Sequence, residues 1–235
     1  MASLQRSLGV LQKTHFLVPS RKISWTKRLQ EILNAEYSID ELKNVFKKRI
    51  LYAKCEDQKF RPDRHKILGP ELAVSHFLLA RGGTVKFEND DKWYHKEKNK
   101  IFLPRHKVNG LFVEAICADN TELMYEGLEN FVGLKSVRYL SLKNCAYIDD
   151  FCLDRLHIMA DTLEFLDLSG CTNITERGLA TLHKLGKLEA LILRDIKTTP
   201  AIELVTLMLQ DVLPECHVLL PTVMKEKSTE VIAAT

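Results

Sequence analysis

Three stretches of the sequence repeat one apolar pattern: VRYLSLKNCAYI at residues 137–148, LEFLDLSGCTNI at 163–174 and LEALILRDI at 188–196. Leu140, Leu166 and Leu191 occupy the same place in each copy, at intervals of 26 and 25 residues. A fixed period in this range predicts a stack of equivalent units, because one such unit cannot bury its apolar face alone. The fold is therefore expected to be a short repeat array of the α/β class.

The pattern L-x-x-L-x-L-x-x-C predicts leucine-rich repeats of the cysteine-containing type. Two leucines of each unit should point inward from a short parallel strand, and the cysteine should turn inward where the chain leaves that strand. Convex helices are expected over 149–160 and 175–185, and a degenerate earlier copy around Ile116, placed 26 residues before Leu142. The predicted inward positions are Leu140, Leu142, Cys145, Leu166, Leu168, Cys171, Leu191 and Leu193.

A short solenoid needs a cap at each end, since its terminal units would otherwise expose their core. A helix beginning at Pro70 and ending at Gly82 and Gly83, followed by a strand over 84–87 and by Trp93, predicts the helical N-terminal cap. A C-terminal capping helix is expected over 201–212, built on Leu204, Leu207 and Met208, with a short strand after it at 217–220. The repeat domain with its caps should span 67–220.

The outward strand positions form the concave surface of a solenoid, which is the usual place for partner binding. They read as columns that combine aromatic, acidic and basic side chains, a composition that favours a mixed recognition surface. A sheet face that is partly covered by neighbouring side chains is the alternative. The predicted partner-binding residues are Tyr139, Ser141, Lys143, Phe165, Asp167, Ser169, Ile192 and Arg194.

Residues 36–66 predict a basic helical segment followed by a linker. Ser38 and Glu41 have the spacing of a capping box, so a helix should begin there. Leu42, Phe46 and Ile50 then recur four apart among lysines and an arginine, which predicts an apolar face that packs on the domain or docks on a partner. The charged run 56–66 has no sustained periodicity and indicates a linker or a frayed helix end.

The two ends of the chain read differently from its middle. Residues 1–30 hold six basic residues and no acid, a composition typical of a mitochondrial transit peptide, so we expect a leader over 1–35, with a disordered basic arm as the alternative. A disordered tail is expected over 221–235. The six cysteines are scattered, which favours free thiols in a reducing compartment. No apolar run approaches the roughly 18 residues of a membrane-spanning helix.

Motifs that carry catalysis are missing from this sequence. It contains no G-x-S-x-G elbow and no C-x-x-C pair, and Gly82 and Gly83 lack the context of a phosphate loop. Cys145 and Cys171 occupy equivalent repeat positions and so do not have the close spacing of a zinc ribbon. We therefore predict a binding protein without catalytic residues, cofactor or metal. An enzyme of the mitochondrial matrix is the alternative from another class.

Residues 140–191 and 209–219, together with GGTVKF at 82–87 and KWY at 92–94, carry a family resemblance. From about residue 67 to 219 the chain resembles the distal membrane-arm assembly complex protein 2 family, also called ATP synthase subunit s-like, which is related to ATP synthase subunit s, or coupling factor B. The resemblance implies a mitochondrial factor without known catalysis, and we expect it at the matrix side of the inner membrane. It would help to assemble the distal membrane arm of respiratory complex I by binding membrane-arm subunits or other assembly factors.

The related coupling factor implies an alternative role, that of a regulatory or coupling protein of ATP synthase. A divalent-metal site proposed for that relative would fall on Gly82 and Asp119 here. An aspartate replaces the relative's threonine, and a glycine offers only its backbone, so the site is not carried over.

Overall fold

The computed structural model describes residues 39–98 and 100–220. The expected leader at 1–35, Ser38 of the expected capping box and the expected tail at 221–235 lie outside the described residues. The described residues divide into two units, one ending at Ile50 and the other beginning at Leu51. The sheet and the helices that pack on it belong to the second unit.

The described ranges contain six α-helices and seven strands. The helices are α1 (Ile39–Gln58), α2 (Pro62–Ala80), α3 (Tyr125–Leu128), α4 (Asp150–Arg155), α5 (Glu176–Thr181) and α6 (Pro200–Val212). Short 3-10 turns continue α3, α4 and α5. The strands are β1 (Thr84–Phe87), β2 (Trp93–Tyr94), β3 (Val113–Cys117), β4 (Tyr139–Ser141), β5 (Phe165–Asp167), β6 (Ala190–Ile192) and β7 (His217–Leu219). None of these helices has the length and apolarity needed to span a bilayer.

The strands form one mixed sheet in the order β2-β1-β3-β4-β5-β6-β7. β1 is antiparallel to both β2 and β3, whereas every pair from β3 to β7 is parallel. Leu140 pairs with Leu166, and Leu166 with Leu191, so equivalent positions of the sequence repeat lie side by side. The α/β class is confirmed.

The earlier copy lies two residues away from its expected alignment. Ile116 pairs with Leu140 rather than standing in the place of Leu142. Ala118 takes that place, because its N–H donates to the Ser141 carbonyl as the Leu142 N–H donates to the Asp167 carbonyl. A short alanine at this position hides the repeat from a pattern that requires a large apolar side chain.

The inward side of the sheet forms a single apolar core that runs from Leu72 in α2 to Cys216 before β7. The eight inward positions predicted from the repeat are all buried. Each cysteine thiol donates to a carbonyl of the preceding unit, Cys145 to Ala118 at 3.1 Å and Cys171 to Leu142 at 3.0 Å. A small side chain with a weak donor therefore satisfies a buried carbonyl without crowding the corner.

One residue at the end of each parallel strand from β3 to β6 has a left-handed backbone. These residues are Asn120, Asn144, Gly170 and Asp195, with φ between 54° and 71°. Asparagine, aspartate and glycine tolerate this region better than other residues do. The turn repeats with the strands and directs the following side chain, such as Cys145 or Cys171, back into the core.

The N-terminal helices differ from the expected linker over 56–66. α1 continues to Gln58, and α2 begins at Pro62, so residues 59–61 alone are non-helical there. The buried Gln58 side chain holds the end of α1: it donates to the Glu122 carbonyl at 2.7 Å and accepts from the Met124 N–H at 2.9 Å. These long-range bonds, which local periodicity does not reveal, stabilise the helix through the charged run.

α2 is interrupted at Gly69, whose φ of 75° is not helical, and Pro70 opens its second part as expected. The helix ends where predicted. The Gly82 N–H donates to the Leu79 carbonyl and the Gly83 N–H to the Leu78 carbonyl, with Gly82 at a φ of 88°. This is the hydrogen-bond pattern of a Schellman cap.

α6 is present, but the face expected to be buried is exposed. Ile202, Thr206 and Leu209 point into the core. The three residues expected to build the cap, Leu204, Leu207 and Met208, are exposed. The helix carries apolar residues on both faces, so the spacing alone did not determine which face packs against the preceding helix.

Candidate binding site

Three aromatic rings lie together on the outward face of the sheet. Tyr139 and Phe165 are paired neighbours on β4 and β5, and their rings stack with centroids 4.5 Å apart and planes 9° apart. Trp93 of β2 meets the Tyr139 ring edge-on at 6.4 Å. We call Trp93, Tyr139 and Phe165 the aromatic ledge. Trp93 is exposed and the other two are half-buried, so the ledge presents apolar surface to solvent.

The ledge lines a shallow cavity of about 340 Å³ with charged residues around it. The remaining lining residues are Lys86, Glu114, Ala115, Arg138 and Glu164. Their ion pairs are long: Lys86 Nζ lies 3.7 Å from Glu114 Oε2, and Arg138 Nε lies 4.0 Å from Glu164 Oε1. Loose, solvent-accessible pairs contribute about 0–1 kcal/mol each, so a partner could replace them at little cost.

Trp93 also belongs to a second cavity of about 310 Å³, on the side of the β1–β2 hairpin. Tyr94 and Phe102 line it together with Lys92, His95 and Glu97. The Tyr94 hydroxyl donates to Asp90 Oδ2 at 2.8 Å, and this bond raises the pKa of Tyr94. The Lys92 N–H also donates to Asp90, and this bond, followed by that from Tyr94, lowers the pKa of Asp90. Apolar surface therefore continues from the ledge around Trp93 towards the exposed Phe102.

Three of the predicted partner-binding residues are not accessible. Ser141, Asp167 and Ser169 are buried, which corrects their expected role as surface contacts. Ser141 Oγ donates to Asp119 Oδ1 at 2.5 Å, and the Ser169 N–H donates to Asp167 Oδ1 at 3.0 Å. These short side chains satisfy polar atoms between the strand ends, beneath the longer side chains of their neighbours.

The other predicted residues remain accessible to different degrees. Tyr139 and Phe165 belong to the ledge, Ile192 is half-buried and Arg194 is exposed. Lys143 Nζ lies 3.1 Å from the buried Asp167 Oδ2, and the hydrogen bond between them raises the pKa of Lys143. The Lys143 ammonium is therefore already paired with a buried carboxylate of the same chain. The structure brings Tyr139 and Phe165 into one cavity and leaves Lys143, Ile192 and Arg194 outside its lining.

The sequence interpretation missed the charged residues of the cavity and Trp93. Arg138 and Glu164 precede Tyr139 and Phe165 by one residue, so aligning the repeats one position further would have shown a charged column beside the aromatic one. Lys86 and Trp93 come from the β1–β2 hairpin, outside the repeat. No repeat position identifies them, and their place follows from the antiparallel pairing of β1 with β3.

The described residues contain no group of three or more histidines, cysteines or acids that could hold a metal ion. Serine, cysteine and histidine are absent from the lining of the ledge cavity. Burial raises the pKa of both the Cys152 and the Cys171 thiol to about 12. A thiol with such a pKa is protonated at neutral pH and is a poor nucleophile.

Comparison with known proteins places the chain in a family. No protein-family model matches it. It is 41% identical over 221 residues to "Distal membrane arm assembly component 2" of Drosophila melanogaster, which covers 86% of this chain and 78% of that protein. It is 30% identical over 180 residues to "ATP synthase subunit s, mitochondrial" of Rattus norvegicus, covering 75% of this chain and 83% of that protein. The mouse protein of the same name is 29% identical over 180 residues. The chain therefore belongs to the distal membrane arm assembly component 2 family.

Proposed function

We propose that this chain is a non-catalytic assembly factor for the distal membrane arm of mitochondrial respiratory complex I. It would act at the matrix side of the inner membrane, by binding membrane-arm subunits or other assembly factors. The name of the fly relative supports the assembly role, and the names of the rodent relatives support a mitochondrial location. The acid-free composition of residues 1–30 supports a mitochondrial transit peptide, with the leader over 1–35.

We further propose that residues 67–220 form a capped leucine-rich-repeat solenoid with the ledge on its concave face. The support is the L-x-x-L-x-L-x-x-C spacing, the parallel strands in matching register and the inward thiols. In this arrangement α2 with the β1–β2 hairpin closes one end of the stack, and α6 with β7 closes the other. Partners would then meet the strand face rather than the helices.

The aromatic ledge is the observation that carries the binding role. Tryptophan, tyrosine and arginine are enriched among the residues that dominate interface energies, and here they surround one cavity. An apolar centre with a charged rim is the usual anatomy of a protein interface. The ledge would take an apolar or aromatic side chain of the partner. Lys86, Arg138 and the nearby glutamates would then exchange their loose pairs for partner charges.

The test substitutes one ledge residue of the chain and expresses the variant in cells that lack the endogenous protein. Cells would express the wild-type chain, Phe165→Ala or Phe151→Ala, the last as a matched control because Phe151 is an exposed phenylalanine on α4. Complexome profiling would follow complex I membrane-arm intermediates and ATP synthase in the same samples. We expect Phe165→Ala to accumulate distal-arm intermediates at normal protein abundance, while Phe151→Ala restores assembly.

Two results would contradict parts of the proposal. Full rescue by Phe165→Ala would remove the ledge from the binding mechanism. A selective ATP synthase defect, with normal complex I intermediates, would favour the second candidate function, a coupling-factor role like that suggested by the names of the rodent relatives. Both complexes are measured together, so the two functions give opposite patterns.

A further inference from the structure

The described part of the first unit is helical and displays an apolar row. Val45 and Phe46 follow Leu42 by three and four residues, and Ile50 follows Phe46 by four, so the four side chains share one side of α1. All four are exposed, with Phe46 at 61% and Ile50 at 57% of their full accessible surface. An apolar row of this length has no partner among the described residues of its unit. An exposed apolar row of this kind marks an interaction site for another molecule.

The same segment is strongly cationic. Residues 42–50 contain Lys43, Lys47, Lys48 and Arg49 and no acid. Within the described ranges Lys43 pairs with Asp40 at 3.4 Å, whereas Lys47, Lys48 and Arg49 make no ion pair. The helix therefore displays an apolar row flanked by positive charge. The molecule that binds it should present both apolar surface and negative charge.

The exposed row of α6 provides a contrast within the same chain. Leu204 and Leu207 are as exposed as Phe46 and Ile50, at 59% and 60%. The charged residues of that helix, however, are Glu203 and Asp211, both acids. Apolar exposure is thus common to both helices, but charge of the sign that attracts anionic lipid occurs on α1.

We propose that residues 42–50 of α1 bind the surface of an anionic phospholipid membrane. Phe46 and Ile50 enter the boundary between headgroups and acyl chains, and Lys47, Lys48 and Arg49 meet the lipid phosphates. Basic amphipathic helices lie in the membrane plane in this way, and the long lysine and arginine stems add apolar contact. These residues are not part of the aromatic ledge, and the proposal does not depend on the assembly role.

The experiment uses the full chain with vesicles of phosphatidylcholine alone or of phosphatidylcholine mixed with phosphatidylglycerol. Co-sedimentation gives the partition coefficient, and amide hydrogen exchange followed by mass spectrometry locates the contact. We expect peptides covering 42–50 to gain protection on mixed vesicles and none on phosphatidylcholine. Because exchange is read peptide by peptide, binding through the basic residues of 1–30 is distinguished from binding through α1.

Three variants complete the test. Lys47→Glu/Lys48→Glu should lower the partition coefficient at least about 25-fold, since each basic residue near an anionic surface contributes roughly fivefold. Phe46→Ser/Ile50→Ser should also bind less, and Lys47→Gln/Lys48→Gln should give an intermediate value while preserving the apolar row. Leu204→Ser/Leu207→Ser is the matched control and should bind like the wild type. Helix content by circular dichroism identifies any variant that loses α1.

The proposal is overturned if 42–50 gains no protection on mixed vesicles, or the same protection on phosphatidylcholine. It is also overturned if charge reversal leaves the partition coefficient unchanged, or if the α6 variant loses as much binding as the α1 variants. Protection of 42–50 by a protein of mitochondrial extracts, without protection by lipid, would assign the face to an acidic protein partner instead. None of these vesicle results bears on the assembly test, which depends on the phenotype of Phe165→Ala.

Discussion

Gly170 turns the chain at the end of β5 with a φ of 71°, in a place where the neighbouring units use Asn120, Asn144 and Asp195. A Cβ added to Gly170 would overlap the Asn144 side-chain oxygen. The asparagine in turn donates from Nδ2 to the Asn120 side chain at 3.2 Å. Glycine is thus required here for two reasons, its backbone angle and the close approach of the preceding unit.

We expect Gly170→Ala to lower the free energy of unfolding by about 1–2 kcal/mol, because alanine is strained in the left-handed region. The Asn144 side chain would also have to move. Urea unfolding followed by circular dichroism measures the change. Gly186→Ala is the control, since nothing lies within 4 Å of the added Cβ there. Equal stability of the two variants would contradict this account of the turn.

The buried thiols should be chemically silent in the folded protein. Burial raises the pKa of Cys152 and Cys171 to about 12. We expect iodoacetamide at pH 8 to modify Cys55 and Cys117, which are partly exposed, before it modifies Cys152 or Cys171. Mass spectrometry of the labelled peptides gives the order. Urea should abolish the difference in labelling rate between these cysteines. Rapid labelling of Cys171 in the native protein would show that this thiol is accessible to solvent.

The same pKa shift has a direction in stability. The unfolded thiols ionise near their ordinary value of 9.0, whereas the folded ones ionise near 12. The contribution to stability is therefore fully present below pH 9 and is lost as the pH rises towards 12.

At the scale of elements, neighbouring helices are joined by a cap that crosses from one unit to the next. Asp150, at the start of α4, accepts from the Thr175 N–H at 2.8 Å and from its hydroxyl at 2.6 Å. Thr175 is itself the N-cap of α5. Gly178 lets the two helices approach closely, because an added Cβ would lie 2.8 Å from the Asp150 Cα.

Gly178→Ala should therefore separate α4 from α5 and destabilise the fold by about 1–3 kcal/mol, as overpacking does in other cores. The Thr175 amide should exchange faster with solvent in this variant. Hydrogen exchange and urea unfolding give the two readings, again with Gly186→Ala as the control. A variant with wild-type exchange at Thr175 would show that the helices adjust without breaking the cap.

The elements were predictable where their cause is local or periodic. The Gly82 cap, the Thr175 cap and the strand positions follow from short patterns in the sequence. The helical course of residues 56–58 did not, because Gln58 is held by Glu122 and Met124, more than sixty residues away. The buried face of α6 was missed because both of its faces are apolar.

The site was predictable in part for the same reason. Tyr139 and Phe165 stand at equivalent repeat positions, so their pairing follows from the period. Trp93 reaches them from a hairpin outside the repeat, and no spacing in the sequence signals that contact. The burial of Ser141 and Asp167 depends on how neighbouring side chains cover them, which alternation along a strand does not describe.

For the whole second unit, the continuous core predicts cooperative unfolding. Leu72 and Leu191 lie in distant parts of the same apolar cluster, and both are buried. We expect Leu72→Ala and Leu191→Ala each to lower the free energy of unfolding by about 2–5 kcal/mol. Near- and far-ultraviolet circular dichroism should keep one shared urea transition. Two separate transitions in either variant would show that the hairpin end and the repeat end fold independently.

The last strand, β7, pairs with β6 and with no other strand in the described ranges. From Ile116 through Leu140, Leu166 and Leu191 to Val218 the parallel ladder gains one rung for every 24 to 27 residues. Such a fold can lengthen only by whole units of one strand and its connection to the next. A relative with one unit more could keep both end pieces and every existing rung, because the new block would meet the same register on each side. What changes is reach: the outward face lengthens by one strand spacing while the aromatic ledge stays in place.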